Sequence, residues 1–143
     1  MGVERVFVYG TLMFPQVMRA VCGEVPSLQF ARLPGFRRYM VKNQFYPAIE
    51  YVPRAGVDGV LYRDVSPQLL KRLDRYEGRE YRRVRLRVTL GQGLQALAWV
   101  YLPRQAPAAD DEAVDWSAAE FEQRHLDHWC RQLLRSRRHP LAR

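Results

Sequence analysis

The stretch Tyr81-Arg82-Arg83-Val84-Arg85-Leu86-Arg87-Val88-Thr89-Leu90 runs into Gly91-Gln92-Gly93 and then into Leu94 to Leu102, which contains Ala98-Trp99-Val100-Tyr101. In its first half Val84, Leu86 and Val88 alternate with Arg83, Arg85 and Arg87. Alternation at period two is how a half-buried strand turns an apolar face to a core and a solvated face to water. Two such runs around a short glycine-containing loop predict a β-hairpin. The centre of the molecule is therefore expected to be a sheet.

Upstream of the hairpin, Ser66-Pro67 predicts a helix start, because Ser can cap free N–H groups and Pro at the first helical position loses no hydrogen bond. Leu69, Leu70 and Leu73 follow at helical spacing, and Gly78 is the natural stop, able to take the left-handed conformation common at helix ends. Glu77 thus closes a short helix. At the N-terminus, Val3 to Tyr9 reads as a buried strand ended by Gly10-Thr11, with a helix from Pro15 to about Cys22. Leu28 to Tyr51 alternates β-rich stretches with the breakers Pro34-Gly35, Asn43 and Pro47, which predicts short antiparallel strands with turns. Gly56-Val57-Asp58-Gly59 then feeds a further strand, Val60 to Val65. Residues 103–115 form a Pro/Ala/Asp connector. In the final helix Ser117 and Glu120 make a capping box, Trp116 and Phe121 a hydrophobic staple, and Leu126, Trp129 and Leu133 continue the core face. There is no internal repeat. Many short strands with few helices give an α+β fold, a small mixed β-barrel of about five to seven strands with helices packed outside.

The 143 residues suit one domain, residues 1–130, with residues 131–143 as a basic tail. At 48% hydrophobic and 12% aromatic the composition is globular, and no apolar run approaches the ~20 residues of a membrane helix. No secretory signal is visible after Met1, so a cytoplasmic location is expected. Cys22 and Cys130 form no CxxC pair and read as small buried side chains in a reducing compartment. The net charge of +8 comes largely from Arg131, Arg135, Arg137, Arg138 and Arg143, which have no acid among them. No nucleic-acid motif accompanies that charge, so it predicts weak attraction to polyanions rather than specific binding.

Three histidines, His125, His128 and His139, lack a third ligand at metal-site spacing, so no metal is expected and His125 reads as a partly buried structural residue. No serine lies in a G-x-S-x-G turn. Tyr9-Gly10-Thr11-Leu12 lacks the second glycine and the Gly-Lys-Ser/Thr of a phosphate loop. It is either an ordinary tight turn or a concavity of backbone N–H groups that holds a carboxylate. Glu77 likewise has two readings. A carboxylate at a helix C-terminus, faced by the negative end of the dipole and flanked by Tyr76 and Tyr81, suits a general base; one beside Arg75 and Arg79 suits a solvated ion pair.

In order along the chain, Val8-Tyr9-Gly10-Thr11-Leu12, Gly59-Val60-Leu61-Tyr62, Leu73-Asp74-Arg75-Tyr76-Glu77-Gly78 with Tyr81 and Arg82, and Ala98-Trp99-Val100-Tyr101 resemble the gamma-glutamylcyclotransferase-like family. The match is closer to its gamma-glutamylamine cyclotransferase and avirulence-induced-protein branch, whose terminal helix Trp116, Phe121 and His125 also resemble. The resemblance spans residues 3 to about 130. It implies a small mixed barrel with a pocket at one end, in which main-chain groups of Tyr9, Gly10, Thr11 and Leu12 bind the glutamyl carboxylate and Glu77 is the catalytic acid/base. The implied reaction cleaves a gamma-glutamyl amide by attack of its own α-amine, giving 5-oxoproline and a free amine or amino acid. No cofactor is implied, and the partner is a small gamma-glutamyl molecule; no oligomeric state is assigned. Loop N–H groups or Tyr101 are candidate oxyanion donors. Two other functions stay open: a non-catalytic domain holding a carboxylate ligand in the same pocket, and association with nucleic acid through the arginine tail.

Overall fold

The structure, a computed structural model, describes residues 2–109 and 114–138. Five strands, β1 (Glu4–Val8), β2 (Leu28–Met40), β3 (Pro47–Val65), β4 (Tyr81–Thr89) and β5 (Gln95–Pro103), close into a barrel in the order β1-β3-β2-β4-β5. All pairs are antiparallel except the closing one, where β1 runs parallel to β5 with Val6 opposite Trp99. The barrel is mixed, as expected. Four helices, α1 (Pro15–Cys22), α2 (Pro67–Glu77), α3 (Ala118–Arg124) and α4 (Leu126–Arg138), accompany it. No helix among the described residues is long and apolar enough to cross a membrane.

The alternation of β1 explains how one strand serves two cores. Phe7 and Tyr9 point into the barrel, where they meet Leu33, Ile49, Leu61, Val88 and Val100. Val6 and Val8 point outward and pack with Val17 and Met18 of α1, Leu69, Leu70 and Leu73 of α2, and Phe121 and Leu126. A strand covered on both faces is buried throughout, as Val6 to Tyr9 are. Gly59 sits opposite this strand, and a Cβ there would meet the Val8 carbonyl oxygen and come within 2.7 Å of the Phe7 ring.

Two helix starts match their sequence signals. Ser66 Oγ accepts from the Leu69 N–H at 3.2 Å and Pro67 is the first helical residue. Ser117 Oγ accepts from the Glu120 N–H at 3.1 Å, with Trp116 and Phe121 in ring contact at 5.7 Å. The Glu120 carboxylate lies 3.5 Å from Arg124. The final helix is broken at His125 (φ −128°, ψ −20°) into α3 and α4.

Three expectations are corrected. The segments around Pro34-Gly35 and Gly56 are not turns between short strands: β2 and β3 have 13 and 19 residues, and Pro34 pairs with Gly56 beside a register shift. Gly35, at φ +84°, makes this an irregularity that bends the strand, which a small barrel requires. The actual turn falls at Asn43, also at positive φ. The second correction concerns residues 131–138, which are not a tail but the continuation of α4; residues 139–143, including His139, lie outside the described residues. The core face expected through Leu126, Trp129 and Leu133 is present: Leu126 is part of the outer core, and Trp129 and Leu133 pack against it together with Cys130. Third, Cys22 is buried but Cys130 only partly so.

Candidate active site

The end of β1 is held from several sides. The carbonyl of Tyr9 accepts from Arg38 Nη1 at 2.9 Å, that of Gly10 from the Met13 N–H at 2.9 Å, that of Thr11 from the Phe14 N–H at 3.2 Å, and that of Leu12 from the Tyr62 hydroxyl at 2.7 Å. Thr11–Met13 is a single 3-10 turn whose first internal bond is made by Met13. The N–H groups of Thr11 and Leu12 therefore have no carbonyl of the turn to bond, which is the general condition of a helix start. With the carbonyls engaged by the protein, the loop has the polarity of an acceptor-seeking surface, suited to a carboxylate. Gly10 adopts φ −131°, ψ −133°, and a Cβ there would approach the Pro47 ring to 3.0 Å.

This loop forms one wall of a cavity of about 540 Å³. Tyr9, Gly10, Thr11 and Leu12 line it, and so do Glu77 and Tyr101. Every site residue read from the sequence thus borders one space. Glu77 is the last residue of α2, where Gly78 turns the chain away at φ 79°, ψ −171°. The positive φ was expected, but the extended ψ places Gly78 in a region that essentially only glycine occupies rather than in the left-handed helical one. The chain then leads directly into β4. Glu77 is half-buried, whereas its neighbours Arg75 and Arg79 are exposed.

The negative charge of Glu77 reaches two phenols of the cavity. Tyr9 is 8% exposed, and its hydroxyl donates to the Tyr101 carbonyl at 2.7 Å. Burial, and then Glu77, hold its ionisation well above the ordinary range of a phenol. The Tyr101 phenol is raised by burial first, then by its hydrogen bond to Asp74 and the charges of Asp74 and Glu77. Its hydroxyl donates to Asp74 Oδ1 at 2.6 Å, and Asp74 also receives Arg83 Nε at 2.9 Å and Nη2 at 3.2 Å. Arg83 and Arg85 do lie on the outer face of β4, but both flank the Trp99 ring, with guanidinium carbons 4.3 and 4.4 Å from its centroid.

Sequence reasoning missed three contributors. Tyr76 shares a hydrogen bond with Thr11 Oγ at 2.8 Å and accepts from Trp129 Nε1 at 3.0 Å, so α4 is tied to the loop through α2. Arg38 clamps the loop while paired with Asp115 at 2.8 Å and lying over Trp116. Residues 132–136 of α4 supply Gln132, Leu133, Arg135 and Ser136 to the cavity wall. The helical spacing of Trp129 and Leu133 identified a core face from the sequence, and that the same face borders the cavity is what the sequence reading did not include. Among the described residues no cluster of three metal-ligating side chains exists. His125 stacks on Phe45 at 3.9 Å, in keeping with a structural role.

The family model described as "Gamma-glutamyl cyclotransferase, AIG2-like" matches residues 6–118, which include the loop, Gly59, Glu77 and Tyr101. The chain belongs to this gamma-glutamyl cyclotransferase, AIG2-like family. The family assignment agrees with a curated relative, AIG2-like protein D of Arabidopsis thaliana, 32% identical over 87% of this chain and 82% of its own. A solution structure of another Arabidopsis thaliana protein superposes with a TM-score of 0.71 at 27% identity, covering 92% of this chain and 89% of that one. A structure described as gamma-glutamyl cyclotransferase superposes at 0.68 with 16% identity, over 92% of this chain and 86% of that one, and shares the fold. The matched residues stop at 118, so α3 after its first residue and all of the wall that α4 gives the cavity lie beyond them.

Proposed function

We propose that this AIG2-like chain is a gamma-glutamyl cyclotransferase that releases 5-oxoproline from a small gamma-glutamyl amine or amino acid. The observation that carries the proposal is that Glu77 and the loop Tyr9–Leu12 border one cavity. The amides of Thr11 and Leu12 receive the substrate's α-carboxylate. This fixes one end of the glutamyl chain and directs its α-amine toward the γ-carbonyl. Nucleophile and electrophile then belong to one molecule, and holding it folded removes much of the entropic barrier to closing a five-membered ring.

Glu77 takes a proton from the α-ammonium, freeing the nitrogen lone pair. The nitrogen forms a bond to the γ-carbon, and Glu77 passes the proton to the departing nitrogen as the bond from that carbon to it breaks. Glu77 then takes the second proton from the ring nitrogen and gives it to the freed amine, leaving a neutral lactam N–H and an ammonium product. Atoms and charge balance without a cofactor. The Tyr101 hydroxyl gives its single proton to Asp74, so in this mechanism Tyr101 is not a donor to the developing oxyanion.

The test is Glu77→Gln, nearly isosteric and on a half-buried position. The variant is expected to keep the melting behaviour of the parent and to lose 5-oxoproline release across a panel of gamma-glutamyl compounds. Turnover by the variant equal to the parent's would refute the assigned role. Binding of the compounds by the parent without product would instead identify a non-catalytic carboxylate-binding domain.

A further inference from the structure

The cavity is larger than the group whose chemistry it serves. A glutamyl group has about nine heavy atoms, and at no more than the ~30 Å³ that a water molecule takes in the liquid, it needs at most about 270 Å³. That is half of the 540 Å³ present. With the glutamyl end on the loop and Glu77, the remainder belongs to the departing group, and its wall is α4. Trp129, Gln132, Leu133 and Ser136 recur at helical spacing on the face turned to the cavity, and Arg135 stands at the margin of that face. Trp129 and Leu133 offer apolar surface. Arg135 offers an exposed guanidinium, with no acidic partner among the described residues.

Resting on the cyclotransferase reading, we infer that Arg135 is a specificity-determining residue that binds the carboxylate of an amino-acid leaving group. A guanidinium presents paired donors suited to a carboxylate and has no use for an alkyl or cationic tail. The acids of the cavity, Glu77 and Glu80, come from the end of α2 and the segment after it, next to the reacting amine, while the departing end lies against the arginine helix. The long-range field acts in the same direction. A gamma-glutamyl amino acid carries two carboxylates and one ammonium, whereas a gamma-glutamyl alkylamine is a neutral zwitterion, and a chain of net charge +8 attracts the former.

The experiment compares gamma-glutamylalanine with gamma-glutamylethylamide in the full chain and in Arg135→Gln, an exposed helical replacement with similar helix propensity. The parent is expected to favour gamma-glutamylalanine by about tenfold in kcat/KM. Arg135→Gln is expected to remove that preference through KM while leaving kcat, and both constants for the ethylamide, unchanged. No preference in the parent, or an equal loss on both substrates in the variant, would overturn the inference. Should neither compound be turned over, the cyclotransferase reading fails by itself. Arg135 is then judged by calorimetric binding of the same two compounds, where tighter alanine-derivative binding that disappears in Arg135→Gln supports it and equal binding rejects it.

Discussion

The hydroxyls of Thr11 and Tyr76 meet at 2.8 Å, joining the turn after β1 to the last turn of α2 one residue before Glu77. Trp129 donates to the same Tyr76 oxygen from α4. Three segments far apart in sequence are thereby fixed around one cavity. Tyr76→Phe removes the oxygen and leaves the ring. We expect a loss of about 1 kcal/mol in stability, the usual net value of such a bond, and a several-fold rise in KM because the loop is less fixed. Urea midpoints and steady-state release of 5-oxoproline check both.

Gly59 allows β1 to lie against β3 without a side chain between them. A methyl group there would occupy the space of the Val8 carbonyl oxygen and the Phe7 ring. Backbone cannot move aside as a flexible side chain can, so Gly59→Ala is expected to cost about 1–3 kcal/mol, the usual range for overpacking. Because Val8 is followed at once by the Tyr9–Leu12 loop of the candidate site, 5-oxoproline release should fall further than the folded fraction does. Denaturation midpoints read beside activity per folded molecule test this, and an unchanged midpoint contradicts it.

How far the sequence was readable depended on whether a signal was local. Ser66-Pro67 and Gly91-Gln92-Gly93 carry their geometry within a few residues, and helix and hairpin fall where those residues place them. Pro34-Gly35 does not: the same dipeptide serves a turn or a bend within a strand, and only closure of the barrel selects the bend. Arg83 looked like a solvated residue because its partner Asp74 is on another element. Glu77 and Tyr9–Leu12 were joined as one candidate site through their resemblance to a family, since no spacing in the chain connects them, and they border one cavity. The apolar spacing of Leu126, Trp129 and Leu133 was legible as a core face, but arginines at positions 131, 135, 137 and 138 made the same segment read as a tail, so the share of α4 in the cavity wall was not.

The buried phenols make the fold sensitive to alkali. Burial holds Tyr9, Tyr62 and Tyr101 protonated beyond the ordinary phenol value, with the Glu77 charge adding to the effect at Tyr9 and Tyr101. An unfolded tyrosine ionises near about pH 10. Below that pH, both states keep these protons and stability is independent of them. Above it the unfolded chain releases protons that the fold retains, so unfolding becomes progressively easier. From pH 8 to about 9.5 these phenols should leave the urea midpoint unchanged, and beyond it they should lower it, with tyrosinate absorbance from these three residues arriving together with unfolding. Ionisation of all of them in the native state below that range would contradict the assignment.

Asp74 offers a separate test of how α2 presents Glu77. It stands three residues before Glu77 and holds the helix to the barrel through Tyr101 on β5 and Arg83 on β4. The Arg83–Asp74 pair is partly solvated, at 25% and 41% side-chain exposure, so its charge contributes less than a dry pair would. Asp74→Asn keeps the shape and removes the charge. We expect a stability loss of about 1–2 kcal/mol, set by the charged hydrogen bonds rather than by packing. Tyr101 should then ionise at lower pH than in the parent, since two of the effects that raise it depend on Asp74, although burial still keeps it above the ordinary value. Tyr101→Phe, which deletes one donor and leaves the Arg83 pair, should lose less. If the anchoring sets where Glu77 stands, kcat falls in Asp74→Asn while KM for a gamma-glutamyl substrate stays within about twofold, because the Tyr9–Leu12 loop is built from other contacts. A rise confined to KM would show instead that α2 acts on the site only through Tyr76 and Thr11.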